Sequence, residues 1–170
     1  MTEVNDTLSK FAAAMQDLLT DEAFRYANPG EQAITAQLCQ LMATLFPEWN
    51  VNAEWNRRQT EAKMLAYGLD DQVEALRLIR PDIIVHRIGL PENLLVVEAK
   101  RVENRLDAQD RAKLLAMTNA AKGYGYLIGI RVVIDMQHGS VADLEVFTNG
   151  SSSAELTEFL EGRLQAHGVR

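Results

Sequence analysis

The sequence predicts an α/β domain whose central mixed β-sheet is flanked by helices, and three observations lead there. Alanine- and leucine-rich runs with three- and four-residue apolar spacing fill the chain up to Pro47. Two β-rich runs flank Gly89-Leu90-Pro91-Glu92-Asn93, a hairpin signal. Helical and extended patterns then alternate to the C-terminus.

The elements follow in order. Residues 6–26 read as a first helix. Asn28-Pro29-Gly30-Glu31 restarts the chain: Asn28 suits an N-cap, Pro29 the first helical position and Glu31 a capping-box acid. That second helix should run to about Phe46, before Pro47. Residues 51–55 suit a short strand. Residues 57–80 are ambiguous, polar at first and then with helical spacing at Val73, Leu76 and Leu78. Residues 82–88 and 94–99 form the hairpin. Residues 106–121 read as a helix ended at Gly123. Residues 124–135 and 143–147 are strands joined through Gln137-His138-Gly139-Ser140, and residues 154–165 a terminal helix.

Composition bounds the function. With 170 residues, 47% apolar and 24% charged, the chain suits one globular domain spanning residues 1–170. No apolar run approaches the roughly 20 residues of a membrane span, and the N-terminus lacks a secretory pattern. A soluble, cytoplasmic protein is expected. The lone Cys39 excludes an intramolecular disulfide and a cysteine metal cluster, and His86, His138 and His167 lack ligand spacing. The net charge of −7 runs against a dedicated nucleic-acid binder, though Arg77, Arg80, Arg87, Lys100, Arg101, Arg105, Arg111 and Lys113 concentrate basic charge in the middle of the chain.

The hairpin places chemistry at its open end. If Ile88 faces Leu94 across a five-residue turn, Ile84 faces Glu98 and Asp82 faces Lys100. Residues opposite one another share a face, so Asp82, Glu98 and Lys100 point the same way. Asp82 and Glu98 are then diagonal neighbours at roughly 7–8 Å, close enough to converge on one cation. Leu94-Leu95-Val96-Val97 is apolar on both faces, as in a covered strand. Placing a glutamate and a lysine at its end costs desolvation free energy, which a bound Mg²⁺ would offset.

Arg80-Pro81-Asp82 followed by Glu98-Ala99-Lys100 resembles the signature of the PD-(D/E)XK nuclease superfamily. The resemblance covers about residues 29–135 and implies a restriction endonuclease-like αβββαβ core. It implies a Mg²⁺-dependent deoxyribonuclease, with Mn²⁺ as a substitute ion and a role in defence, restriction or repair. Asp82, Glu98 and the Ala99 carbonyl would hold the metal, and Lys100 would assist the attacking water. Glu31, on the helix before the sheet, would complete the site or act through a bound water. Glu31, Ile34, Leu38, Leu41 and Leu45 share one helix face, which supports that placement. Gln109 and Lys113 are candidates for a further polar residue on the next helix, but no clear QxxxY pattern of RecB-type exonucleases is present. The resemblance also suggests a homodimer or a partner subunit.

Plainer roles exist for the same residues. Asp82 suits a turn after Pro81, Glu98 and Lys100 a surface ion pair, and Glu31 a capping acid. Arg80, Arg101 and Arg105 suit either phosphate contacts or a solvated face. Trp49, Trp55, Tyr124 and Tyr126 suit packing better than base stacking, and His86 suits a packed neutral ring. A catalytically silent nuclease-fold assembly module and an RNA substrate are the alternatives.

Overall fold

The computed structural model describes residues 2–55, 57–58, 61–62, 64–67, 75–104, 107–166 and 168. Helix α1 (Glu3–Thr20) is capped by Thr2, whose hydroxyl accepts from the Asn5 amide at 3.3 Å. It buries Leu8, Phe11, Met15 and Leu18 along one stripe. The chain does not continue as one helix to Tyr26, as the sequence suggested. Asp21 leaves the helical conformation and caps a new short helix, α2 (Glu22–Tyr26), by accepting from the Phe24 amide at 2.9 Å.

Helix α3 (Glu31–Leu45) starts later than expected. Its N-cap is Gly30, and Asn28 is not the cap but a residue at φ +47° in the preceding turn. Ile34, Leu38 and Met42 are buried, with Leu41 and Leu45 packed at the edge of the core. Strand β1 (Asn50–Ala53) follows. Two small antiparallel pairs come next, β2 (Arg57–Arg58) with β3 (Glu61–Ala62), and β4 (Met64–Tyr67) with β5 (Ala75–Leu78). Leu76 and Leu78 therefore lie on a strand, not on a helical turn; Val73 lies outside the described residues.

The main sheet has six strands in the order β1, β6 (Ile83–His86), β7 (Asn93–Arg101), β8 (Ile128–Asp135), β9 (Ser140–Thr148) and β10 (Ser151–Ser152). All neighbours are antiparallel except β7 and β8, which run parallel. A parallel pair needs a crossover, supplied here by α4 (Asp107–Thr118). A short 3₁₀ turn follows α4 and ends at Gly123, whose φ of +96° is the left-handed geometry a glycine tolerates. Helix α5 (Ala154–Ala166) closes the fold.

The sheet is covered on both faces. Ile83, Val85, Leu95, Val97 and Ala99 point into a core shared with α1, α3 and α5. Ile84 and Val96 point the other way, against Leu114 and Met117 of α4 and against Tyr124 and Tyr126. Both tyrosines pack as expected. No helix among the described residues is long and apolar enough to cross a membrane.

Candidate active site

The β6–β7 register differs from the expected one by two residues. Ile83 pairs with Val97 and Ile84 with Val96, so the next position outward sets Asp82 across from Glu98, not Lys100. The connection spans residues 87–92, closed by the Arg87 amide on the Glu92 carbonyl at 2.9 Å, and the register shifts between Val85 and His86. A slip of two preserves the face of every side chain. Asp82, Glu98 and Lys100 therefore still alternate onto the face of Ile84 and Val96, beneath α4.

Asp82 sits just before β6, and its Oδ2 accepts from the Ala99 amide at 2.8 Å, which ties the two strands together. Glu98 is 1% exposed. Its Oε2 receives Lys113 Nζ from α4 at 2.6 Å, while its Oε1 is buried without a hydrogen-bond partner. Burial pushes the Glu98 carboxyl up to about 8, against the pull of Lys113 and with a push from Asp82 and Asp110. Burial likewise raises Asp82, more than the Ala99 amide and the nearby lysines lower it.

Lys100 extends from the end of β7 to Glu31 Oε1 at 3.2 Å and to Asp110 Oδ2 at 4.0 Å. Burial opposes its charge, but Asp110, Asp82 and Glu31 outweigh it and raise the ammonium above its ordinary value. Lys113 behaves alike: burial works against it, while Glu98 and Asp110 (3.8 Å) hold its proton.

Glu31 is not a capping acid. It is the first residue of α3, and its carboxylate points at the strand end. Besides Lys100 on Oε1, its Oε2 accepts from the Arg101 amide at 3.3 Å and from Asn104 Nδ2 at 3.1 Å. Burial works against its charge, yet these donors outweigh it and hold the carboxyl below its ordinary value. Both oxygens of Glu31 are thus engaged in placing Lys100 and the strand end.

The arginines behave differently from one another. Arg101 spends its guanidinium on the chain before α3: the Pro29 carbonyl at 3.1 Å, Asn28 Oδ1 at 2.8 Å and the Glu103 carboxylate at 2.9 Å. Arg80 is exposed and lies 3.6 Å from Glu54. Arg105 lies outside the described residues. His86 is buried, its Nε2 2.9 Å from Asn52 Oδ1, with its ring against Trp55. Gln109 reaches the Tyr67 hydroxyl at 3.5 Å.

Sequence reasoning did not single out Asp110, which stands between the two lysines. On a helix of mean amphipathicity an aspartate reads as solvated, and only the docking of α4 shows otherwise. A cavity of about 520 Å³ bounded by Arg25, Asn28, Glu103 and Gln137 shares no lining residue with Asp82, Glu98, Lys100 or Asp110.

Among the described residues, no three His, Cys, Asp or Glu side chains are grouped as a ready metal cage. Mg²⁺ does not require one, because it binds through one or two carboxylates and keeps several waters. The partnerless Glu98 Oε1, on the residue across from Asp82, is the kind of donor such an ion satisfies.

No family model and no curated protein matches the chain. Among solved structures, the crystal structure of SSO0001 is similar at 15% identity, over 96% of this chain and 74% of that one, with a TM-score of 0.36. A likeness of that degree carries no argument about family or function.

Proposed function

We propose that this chain is a Mg²⁺-dependent nuclease that hydrolyses phosphodiester bonds in DNA, with Mn²⁺ able to substitute. One observation carries the reading: two adjacent carboxylates, Asp82 and Glu98, meet at the end of a buried strand beside Lys100, and one oxygen of Glu98 has no partner. Leaving aside the small pairs β2–β3 and β4–β5, which lie between β1 and β6, the order α3, β1, β6, β7, α4, β8 supports it, since it matches the αβββαβ core that the PD-(D/E)XK resemblance implies.

Asp82 and Glu98 would hold the metal, with the Ala99 carbonyl as a further oxygen. Such an ion acidifies a bound water and neutralises charge on the phosphate. Lys100 donates from Nζ to the attacking water or to the oxyanion that develops on phosphorus. Glu31 positions Lys100 by accepting a hydrogen bond from its Nζ at 3.2 Å. Asp82 braces β7 through the Ala99 amide, which keeps the two acids in register.

The test is cleavage of plasmid and linear DNA with Mg²⁺ by wild type, Lys100→Ala and Asp82→Ala, with RNA in parallel. Loss of cleavage in both variants supports the reading. Equal activity in all three removes this site from it.

The charge balance favours one second reading, a catalytically silent assembly module. The chain carries −7, and Arg80, Arg101 and Arg111 are each engaged with an acid, which leaves them poorly placed to hold phosphates. A protein that binds no Mg²⁺, cuts neither nucleic acid and co-purifies with a partner would fit that reading.

A further inference from the structure

The position of Lys113 raises a question that the two acids alone do not. Its ammonium lies against Glu98 Oε2 at 2.6 Å, the place a cation shared by Asp82 and Glu98 would contest. A second acceptor stands ready on the same helix, Asp110 Oδ1 at 3.8 Å. Asp110 lies three residues before Lys113, so the two share a helix face and one ammonium stands within reach of both carboxylates. Lys113 and Asp110 are both buried.

The charge count points the same way. Four carboxyl groups, those of Asp82, Glu98, Asp110 and Glu31, stand near only two ammonium groups, Lys100 and Lys113. Lys113 reaches only one oxygen of Glu98.

We propose that Lys113 is a tethered counterion: it holds Glu98 in the metal-free protein and moves to Asp110 when a divalent cation enters. This rests on the metal reading above. It makes Lys113 a positioning residue that competes with the ion, so the site binds metal more weakly than its acids alone would dictate.

The experiment is calorimetric titration of Mn²⁺ into the full chain, with Lys113→Met compared against Lys100→Met. Both variants remove one positive charge near the acids, but only Lys113 touches Glu98. Lys113→Met should bind Mn²⁺ about tenfold more tightly than Lys100→Met does, the margin expected for removing a direct competitor and not merely a nearby charge. Its melting temperature should also rise more on saturation with Mn²⁺ than that of the wild type. Should Lys113→Met not fold, Lys113→Gln keeps a polar contact to Glu98 without the charge and carries the same expectation.

An affinity for Lys113→Met equal to or weaker than that of Lys100→Met, while the wild type binds Mn²⁺ in an Asp82-dependent way, overturns the counterion role and leaves the metal site standing. Absence of Mn²⁺ binding by the wild type, or binding indifferent to Asp82→Asn, overturns both.

Discussion

Replacing Glu98 with glutamine in the metal-free protein weighs burial against pairing at one carboxyl. The folded chain holds the Glu98 proton up to about pH 8, against an ordinary value of 4.5. Between those limits the folded state binds more protons than the unfolded one, so stability falls as pH rises. The contribution is complete below about pH 4.5 and gone once pH passes about 8. At about 1.4 kcal/mol per unit, the whole interval amounts to at most about 5 kcal/mol. Glutamine mimics the protonated acid and does not titrate. Chemical denaturation in chelator should show wild type and Glu98→Gln nearly equal at pH 4.5, and the variant more stable by about 2–5 kcal/mol at pH 8.5. A variant that is less stable at pH 8.5 would refute the reasoning, because the Lys113 pair would then outweigh the loss of hydration.

Other outcomes follow from the same contacts. Lys100→Ala should lower DNA cleavage by about a hundredfold or more, as loss of an oxyanion donor does, while circular dichroism shows the fold retained. Arg101→Ala should cost about 1–3 kcal/mol in urea unfolding, because its bonds to Asn28 and the Pro29 carbonyl hold the start of α3. The salt dependence of DNA binding should not change in that variant, whereas a true phosphate contact would reduce its slope by about one. Phe11→Ala should cost about 3–5 kcal/mol by the same unfolding measurement, since Phe11 on α1 is fully buried in the core that the helices share with the sheet.

Much of the arrangement was readable before any coordinates. Apolar periodicity located α3, α4 and α5, and the hairpin signal located β6 and β7. A five-residue turn sets the hairpin register two residues away from the observed one, and no sequence rule marks the shift at Val85 and His86. The error did not disturb the grouping of Asp82, Glu98 and Lys100, since strand faces repeat every two residues. The break at Asp21 was missed although aspartate is a strong N-cap, because the alanine-rich pattern runs through it. The role of Glu31 was masked by a competing local rule: an acid in a first helical turn is usual, and only β7, about seventy positions further on, supplies its partners. Asp110 and the Lys113–Glu98 pair left no local trace, since their burial depends on where α4 docks.

The parallel pairing of β7 with β8 has a kinetic consequence. The chain must leave the sheet, wind through α4 and return before that pair closes, and such non-local closure is the slow kind. Lys113 and Asp110 ride on the returning segment. A nascent chain that has built β6 and β7 alone therefore carries Asp82 and Glu98 in contact with bulk water. Their dehydration is deferred to the final docking event, when the ammonium of Lys113 arrives with the helix that seals them in.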